Sequence, residues 1–283
     1  MKVEPFESVI GARVTGLSLA KPPTSTERST IEDALERYGV LVFPNQQITP
    51  GQQVAFSRAF ADLELTELDK ARLPGHEEVF VVGNVGKGLV SFAPADEDGE
   101  LEWHTDHIHR ETSARASLLY ALEVPAQGGD TLFACMYHGF EALPDADRKQ
   151  CESLRAIHSA AGLEHFLKRQ DLSRHQPSLT GRTHRYVERP LVRQHPRSGR
   201  KALYFGSQVT VGIAGWEEPE ALEFVRKLTA HACQTAFQYR HQWHVGDAVL
   251  WDNRRVLHAG TPYDIEHSRR CLHRTTWRET VEA

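Results

Sequence analysis

Cysteine is scarce: Cys135, Cys151, Cys233 and Cys271 are the only four in 283 residues, and no two form a CxxC pair. That spacing excludes a disulfide framework or a zinc-finger knot and predicts buried or incidental thiols in a reducing, cytoplasmic setting. No long basic block interrupts the chain. With 33 Lys and Arg against 38 Asp and Glu, the net charge is −5, which points away from nucleic acid as the main partner. No apolar run approaches membrane-spanning length, and the opening MKVEPFESVI lacks the apolar stretch of a secretion signal, so no membrane partner is expected. Internal repeats, low-complexity tracts, Pro/Ser linkers and the zinc signature HExxH are also missing. What remains is an ordinary globular composition, 40% hydrophobic and 25% charged, with enough length for a substantial core.

The pattern changes along the chain. VEPFESVIGARVTGLSL alternates apolar and polar residues around a Gly-Ala turn and predicts a hairpin. STERSTIEDALERYG carries capping hydroxyls, helical spacing at Ile31, Leu35 and Tyr38, and a terminal Gly39. VLVFP predicts a buried strand, and TPGQQVAFSRAFADL a helix with Thr49 as N-cap and Pro50 at its first position. From Trp103 onward short strands dominate: ASLLYALEV, GDTLFAC, RPLVRQH, KALYFG, AFQYRHQW, DAVLWDN, RRVLHAG and RRCLHRTTWR. A helical hairpin over MYHGFEALPDADRKQCESL and a helix over PEALEFVRKLTAHACQ interrupt them. Many short strands with few helices predict a mainly β fold, a double-sheet jelly roll or barrel wrapped by N-terminal helices.

Histidine, by contrast, is abundant, with 16 in the chain and three of them in LEWHTDHIH, Leu101–His109. On a strand, residues two apart share a face. His104 and Asp106 would then present an imidazole and a carboxylate together, while a helix would set them on nearly opposite sides. With a third ligand from elsewhere, two histidines and one carboxylate on one octahedral face suit non-haem Fe(II) and oxygen chemistry. A solvated loop can carry the same short run without any metal.

WHTD, GGDT downstream, WDNRRVLHAG and RRCLHRTT occur in that order, and together they resemble the taurine dioxygenase and 2,4-dichlorophenoxyacetate dioxygenase (TauD/TfdA) family. The resemblance runs over nearly the whole chain from GARVTGLSL onward. It implies one dioxygenase domain over 1–283, with a double-stranded β-helix (jelly roll, cupin-like) core from about residue 103, a helical N-terminal region and an insert around 160–190. It implies Fe(II), 2-oxoglutarate and O2 as metal, cosubstrate and oxidant, and a homo-oligomer, dimer or tetramer. His258 would complete the metal triad with His104 and Asp106, and Thr131 and Arg270 would hold the distal carboxylate of 2-oxoglutarate.

Strand parity supports Arg270 over Arg269: Arg270, Leu272 and Arg274 share one face. A guanidinium matches a carboxylate fork, and burying one without an anion is costly. Two inward arginines imply two anions, the second being a small anionic organic substrate held by Arg274, with pairing of Arg274 to an internal carboxylate as the alternative. The resemblance also places Asn84 on the substrate side, and His109 is the residue after the triad most suited to the pocket. His107 and Arg110 fit loop or subunit-contact roles. Asp252 and Asn253 are expected to hold their turn by Asx-type bonds, and Trp103 and Trp251 to pack the core. Glu100 stands where taurine dioxygenase has a substrate-binding asparagine, which argues against taurine itself. With Asp106 filling the third ligand position, halogenation is not expected. Hydroxylation of a small carboxylate or sulfonate, releasing succinate and CO2, is the leading expectation. Desaturation or a related oxidation, and a cupin-like metal enzyme independent of 2-oxoglutarate, stay open.

Overall fold

The structure is a computed structural model, and it describes residues 1–65, 71–85, 101–169 and 185–279. The predicted N-terminal hairpin is β1 (Lys2–Pro5) against β2 (Ala12–Thr15). Helix α1 (Ser25–Tyr38) starts at a capping box between Thr24 and Glu27, buries Ile31, Ala34 and Leu35, and stops at Gly39 in the left-handed region. Strand β3 (Val40–Phe43) follows, then α2 (Pro50–Arg58), capped by Thr49 and Gln52 with proline at its start. Next come β4 (Arg72–Leu73), β5 (His76–Gly83), β6 (Ala114–Glu123) and β7 (Thr131–Cys135). The helical hairpin is α3 (Met136–Glu141) and α4 (Asp145–Ser153), separated at Pro144. Strand β8 (Arg155–His158) and α5 (Ala160–Arg169) lead into the segment 170–184, the middle of the expected insert, which lies outside the described residues. The remainder is β9 (Val187–Pro190), β10 (Val192–Gln194), β11 (Lys201–Leu203), β12 (Thr210–Ile213), α6 (Glu218–Ala232), β13 (Gln238–His241), β14 (Ala248–Asp252), β15 (Val256–Gly260) and β16 (Cys271–Arg278).

An eight-stranded sheet in the order β1-β2-β3-β14-β6-β16-β5-β4 forms the backbone of the fold. Its central strands are buried on both faces, and alternation sorts their side chains into two cores. Leu41, Phe43, Leu118, Tyr120 and Leu250 pack on one face against Ile31, Leu35 and Phe56 of α1 and α2. Val40, Val42, Leu119, Ala121, Val249, Trp251 and Leu272 face the other way, onto a three-stranded sheet β13-β7-β15 that contributes Phe133, Val256 and Leu257. Trp103 and Trp251 both belong to this inner core, as expected of packing residues.

Two features run against local sequence logic. Strand β2 pairs with β3 in parallel, Ala12 beside Leu41, because α1 provides the crossover a parallel pair requires. Strand β8 pairs with β9 and β12, although nothing in RAIH distinguishes it from the end of the preceding helix.

Candidate metal centre

The inner core brings His104, Asp106 and His258 together. One donor atom from each lies within 4.8 Å of the others, the one such grouping of His, Cys, Asp or Glu side chains among the described residues. The reason is a backbone bridge. His104 N donates to His258 O at 3.0 Å and His258 N donates to His104 O at 2.8 Å, which sets the two imidazoles 4.1 Å apart, centre to centre. The predicted strand around His104 is thus reduced to this single bridge. At Asp106 the chain enters a turn that continues through His109, with His107 at φ 57°. Asp106 reaches the histidines by turning back toward them, not by sharing a regular strand face.

The donor set is suited to a divalent cation. His104 Nδ1 lies 3.1 Å from the Glu102 carbonyl oxygen, which can only accept, so Nδ1 holds the proton and Nε2 keeps its lone pair. His258 Nδ1 is buried without a hydrogen-bond partner among the described residues. Burial by itself raises the Asp106 pKa, but Arg274 and the neighbouring imidazoles outweigh it and hold the carboxyl well below its usual range. Burial lowers the basicity of His258, with His104 adding to the effect, which keeps its imidazole neutral and able to ligate.

The two arginines differ from one another. Arg270 is 3% exposed, donates through Nε to Gly129 O at 3.2 Å, and forms no ion pair with a carboxylate among the described residues. Burial lowers its pKa to about 10. Its neighbour Arg269 points outward and pairs with exposed Glu123, as parity predicts. Glycine is required around Arg270. At Gly129, with φ +67°, a Cβ would stand 2.8 Å from Pro125 Cγ and 3.3 Å from Arg270 Nε; at Gly83, with φ +133°, it would stand 1.9 Å from Arg270 O. Thr131 follows this turn, and its hydroxyl accepts from Trp243 Nε1 at 3.0 Å. Indole nitrogen only donates, so the Thr131 hydroxyl proton is left free to donate elsewhere. Arg274, expected to face an external anion, instead donates through Nη1 to Asp106 Oδ1 at 2.6 Å, beneath the face of Phe80. Its Nε is buried and makes no hydrogen bond among the described residues.

A family model described as taurine catabolism dioxygenase TauD, TfdA family matches residues 2–276. The alpha-ketoglutarate-dependent 2,4-dichlorophenoxyacetate dioxygenase of Cupriavidus pinatubonensis is 35% identical over 98% of this chain and 98% of its own length. The (S)-phenoxypropionate/alpha-ketoglutarate-dioxygenase of Sphingobium herbicidovorans is 32% identical over 96% of this chain and 93% of its own. A crystal structure of a taurine dioxygenase from Burkholderia xenovorans superposes with a TM-score of 0.80 at 29% identity, over 99% of this chain and 90% of that one. The chain belongs to the TauD/TfdA family. It is therefore a 2-oxoglutarate-dependent dioxygenase, and the reading as a cupin-like enzyme independent of 2-oxoglutarate falls away.

Within this TauD/TfdA member, several side chains do other work than the spacing predicts. Asn84 was expected on the substrate side, but both its amide protons go to backbone carbonyls, Ile265 at 2.9 Å and Ser268 at 2.7 Å, while its Oδ1 accepts from Arg270 N at 2.8 Å. It is a clamp that holds Arg270 in place. His107 turns inward and is buried, which removes it from a subunit surface. His109 is half-buried at the end of the same turn, close enough to His158 to lower that residue's basicity. Asp252 does make the expected Asx bond, from Arg254 N at 3.0 Å. Asn253 does not. Its Oδ1 accepts from Trp251 Nε1 at 2.9 Å and from Asp106 N at 3.2 Å, and its Nδ2 donates to Ser117 Oγ at 3.0 Å. Nothing in ASLL separates Ser117 from the apolar residues around it. Only its odd position on β6, shared with Leu119 and Ala121, turns it toward the site. Glu100 lies outside the described residues.

Proposed function

We propose that this TauD/TfdA enzyme binds Fe(II) through His104, Asp106 and His258, and oxidises a small anionic organic substrate, most simply an aryloxyalkanoate, carboxylate or sulfonate, by hydroxylation. The observation that carries the reading is the backbone bridge that joins the two histidines beside an ionised, incompletely hydrogen-bonded aspartate. Bound Fe(II) would supply oxygen activation coupled to decarboxylation of 2-oxoglutarate to succinate and CO2. Arg270 would hold the distal carboxylate of 2-oxoglutarate: a buried guanidinium without an ion-pair partner is costly until an anion arrives. Thr131 would add a hydrogen bond through its free proton. Asn84 would keep Arg270 at a fixed depth, so that the cosubstrate meets the metal in one pose.

Arg274 would receive the substrate's anionic group through the donors it does not use on Asp106, and His109, at the end of the turn that starts at Asp106, would contact the substrate. The phenoxyacetate and phenoxypropionate named for the two relatives are anionic aryl ethers. Hydroxylation beside an ether oxygen would fragment such a molecule. The two facing sheets would form the double-stranded β-helix core of one domain over 1–283. All four cysteines are free and buried, which suits a reducing, cytoplasmic setting, and among the described residues no helix is long and apolar enough to cross a membrane. The homo-oligomeric state implied by the resemblance is open to sedimentation analysis.

The deciding experiment is anaerobic titration with Fe(II) and 2-oxoglutarate, followed by a succinate-release screen over aryloxyalkanoates, small carboxylates, sulfonates and sulfate esters. A weak visible charge-transfer band and substrate-dependent succinate are expected. Succinate release indifferent to every anionic candidate, but stimulated by neutral ones, would sink the substrate class.

A further inference from the structure

The side chains around Asp106 form a hydrogen-bond chain whose direction can be read at every link. Trp251 Nε1 can only donate, so the atom of Asn253 that it meets at 2.9 Å must be the amide oxygen. The backbone N–H of Asp106 points to the same oxygen. That leaves the Asn253 amide nitrogen to face Ser117 Oγ at 3.0 Å, as a donor. The Ser117 proton must then go elsewhere, and Asp106 Oδ2 lies 2.6 Å away, against 3.5 Å for Thr276 Oγ1. The chain therefore runs Trp251 to Asn253 to Ser117 to the carboxylate. Every member of it is buried, with Ser117 and Asn253 at 0% and 1% exposure. Arg274 holds the other carboxylate oxygen, so one donor grips each end of the Asp106 carboxylate.

We propose that Ser117, oriented by Asn253, is the positioning residue that sets the plane of the Asp106 carboxylate and so the geometry and affinity of the metal centre. The proposal rests on the metal reading above and adds to it. A carboxylate offers about four lone-pair positions. With one position on each oxygen taken, the group cannot rotate freely about its Cβ–Cγ bond, and one lone pair on each oxygen stays open. Asn253 gives the chain a second purpose. It lies five positions before His258 and contacts both the backbone at Asp106 and, through its own carbonyl, Thr105 Oγ1 at 2.6 Å. One residue thus ties the segment that carries the first two ligands to the turn before β15, the strand that carries the third.

The test is direct metal binding, not turnover. Mn(II) affinity would be measured by calorimetry for wild type, Asp106→Ala, Ser117→Ala, Ser117→Thr and Asn253→Asp, with thermal melts of the metal-free proteins alongside. Loss of a partner that orients a ligand typically costs roughly 10- to 100-fold in metal affinity. Ser117→Ala should fall in that range with little change in melting temperature, and Ser117→Thr, which keeps the hydroxyl, should recover most of it. Asn253→Asp is nearly isosteric but cannot donate to Ser117; the serine proton is drawn to the new carboxylate, and the variant should behave like Ser117→Ala. Co(II) d–d bands at saturating metal should shift in Ser117→Ala as the freed carboxylate reorients. If Asp106→Ala loses Mn(II) while Ser117→Ala and Asn253→Asp bind as wild type with an unchanged Co(II) spectrum, the relay is wrong and the metal centre stands. If Asp106→Ala binds Mn(II) as tightly as wild type, both fall.

Discussion

Two buried aspartates in this enzyme, Asp106 and Asp252, each keep company with histidine and arginine, and they have opposite characters. Asp252 receives four hydrogen bonds: Arg254 N and Nε on Oδ1, and Arg254 Nη2 and His195 Nε2 on Oδ2. Its lone pairs are filled. His195 is satisfied as well, since its Nδ1 lies 3.3 Å from Ser198 Oγ. Asp106 receives side-chain donors from Ser117 and Arg274 alone among the described residues, and beside it His258 leaves Nδ1 unpartnered. Both carboxyls are held well below the usual range, each because nearby cations overcome the opposing effect of burial. Charge state therefore does not separate a structural carboxylate from the one proposed to bind metal. The count of unfilled lone pairs does.

Exchanging the roles of the two clusters is the most severe trial of that distinction. Asp106→Ala and His258→Ala should abolish divalent-metal binding by calorimetry while the protein still folds. Asp252→Ala should instead cost about 3–5 kcal/mol of stability, because it strands buried Arg254 and His195 without their anion; urea denaturation at neutral pH measures it. A stable Asp252→Ala variant that loses metal, or an Asp106→Ala variant that unfolds, would erase the difference between the sites.

The next effect in size concerns the unfilled arginine. Arg270→Ala should weaken 2-oxoglutarate binding by roughly 10- to 150-fold, the equivalent of about 1.5–3 kcal/mol for hydrogen bonds to a charged group. Arg269→Ala removes only an exposed ion pair, and should change binding by no more than a few-fold. Thr131→Val should fall between the two. Equal losses for both arginines in equilibrium binding would remove Arg270 from the cosubstrate site.

The smallest predicted effect belongs to a buried histidine outside both clusters. Burial lowers the His158 pKa to about 3, with Arg189 and His109 contributing. In the unfolded chain an ordinary histidine titrates near 6.5. Between those values the unfolded state binds the proton and the native state does not, so stability falls as pH falls through that window. Between pH 7 and pH 5 the loss should be roughly 2 kcal/mol from this one group. Denaturant titrations at the two pH values should show His158→Gln with a correspondingly flatter dependence.

Much of this molecule is legible in one dimension because the signals are local. Thr24, Gly39, Thr49 and Pro50 mark helix ends through contacts within a turn, and the structure places α1 and α2 between them. The choice of Arg270 over Arg269 rests on the two-residue repeat of a strand, and Arg270 is indeed buried while Arg269 points out. Strand β16 starts only at Cys271, however, and its register shifts before Leu272, so the burial is not owed to a regular strand face. His104 and Asp106 could be paired by their spacing, although the reason was only half right. A single bridge and a turn, not a strand, bring them together. Asn84 could be singled out by its place after β5, but its work on the Arg270 backbone, 186 positions away, could not.

What the sequence determined by itself was which chemistry is possible: imidazole, carboxylate and guanidinium in an order that marks the family, and the hydrophobic alternation that builds two sheets. What only the tertiary structure decided was which of those groups remain unsatisfied. Asp252 and Asn253 are neighbours in the same buried turn. One closes on Arg254 and His195, while the other reaches across to Ser117 and the backbone of Asp106. No local rule distinguishes them. Arg254 is local, two positions beyond Asp252. His195 lies 57 positions from Asp252, and Ser117 and Asp106 lie 136 and 147 positions from Asn253, brought within hydrogen-bond reach only when the two sheets close on a common core.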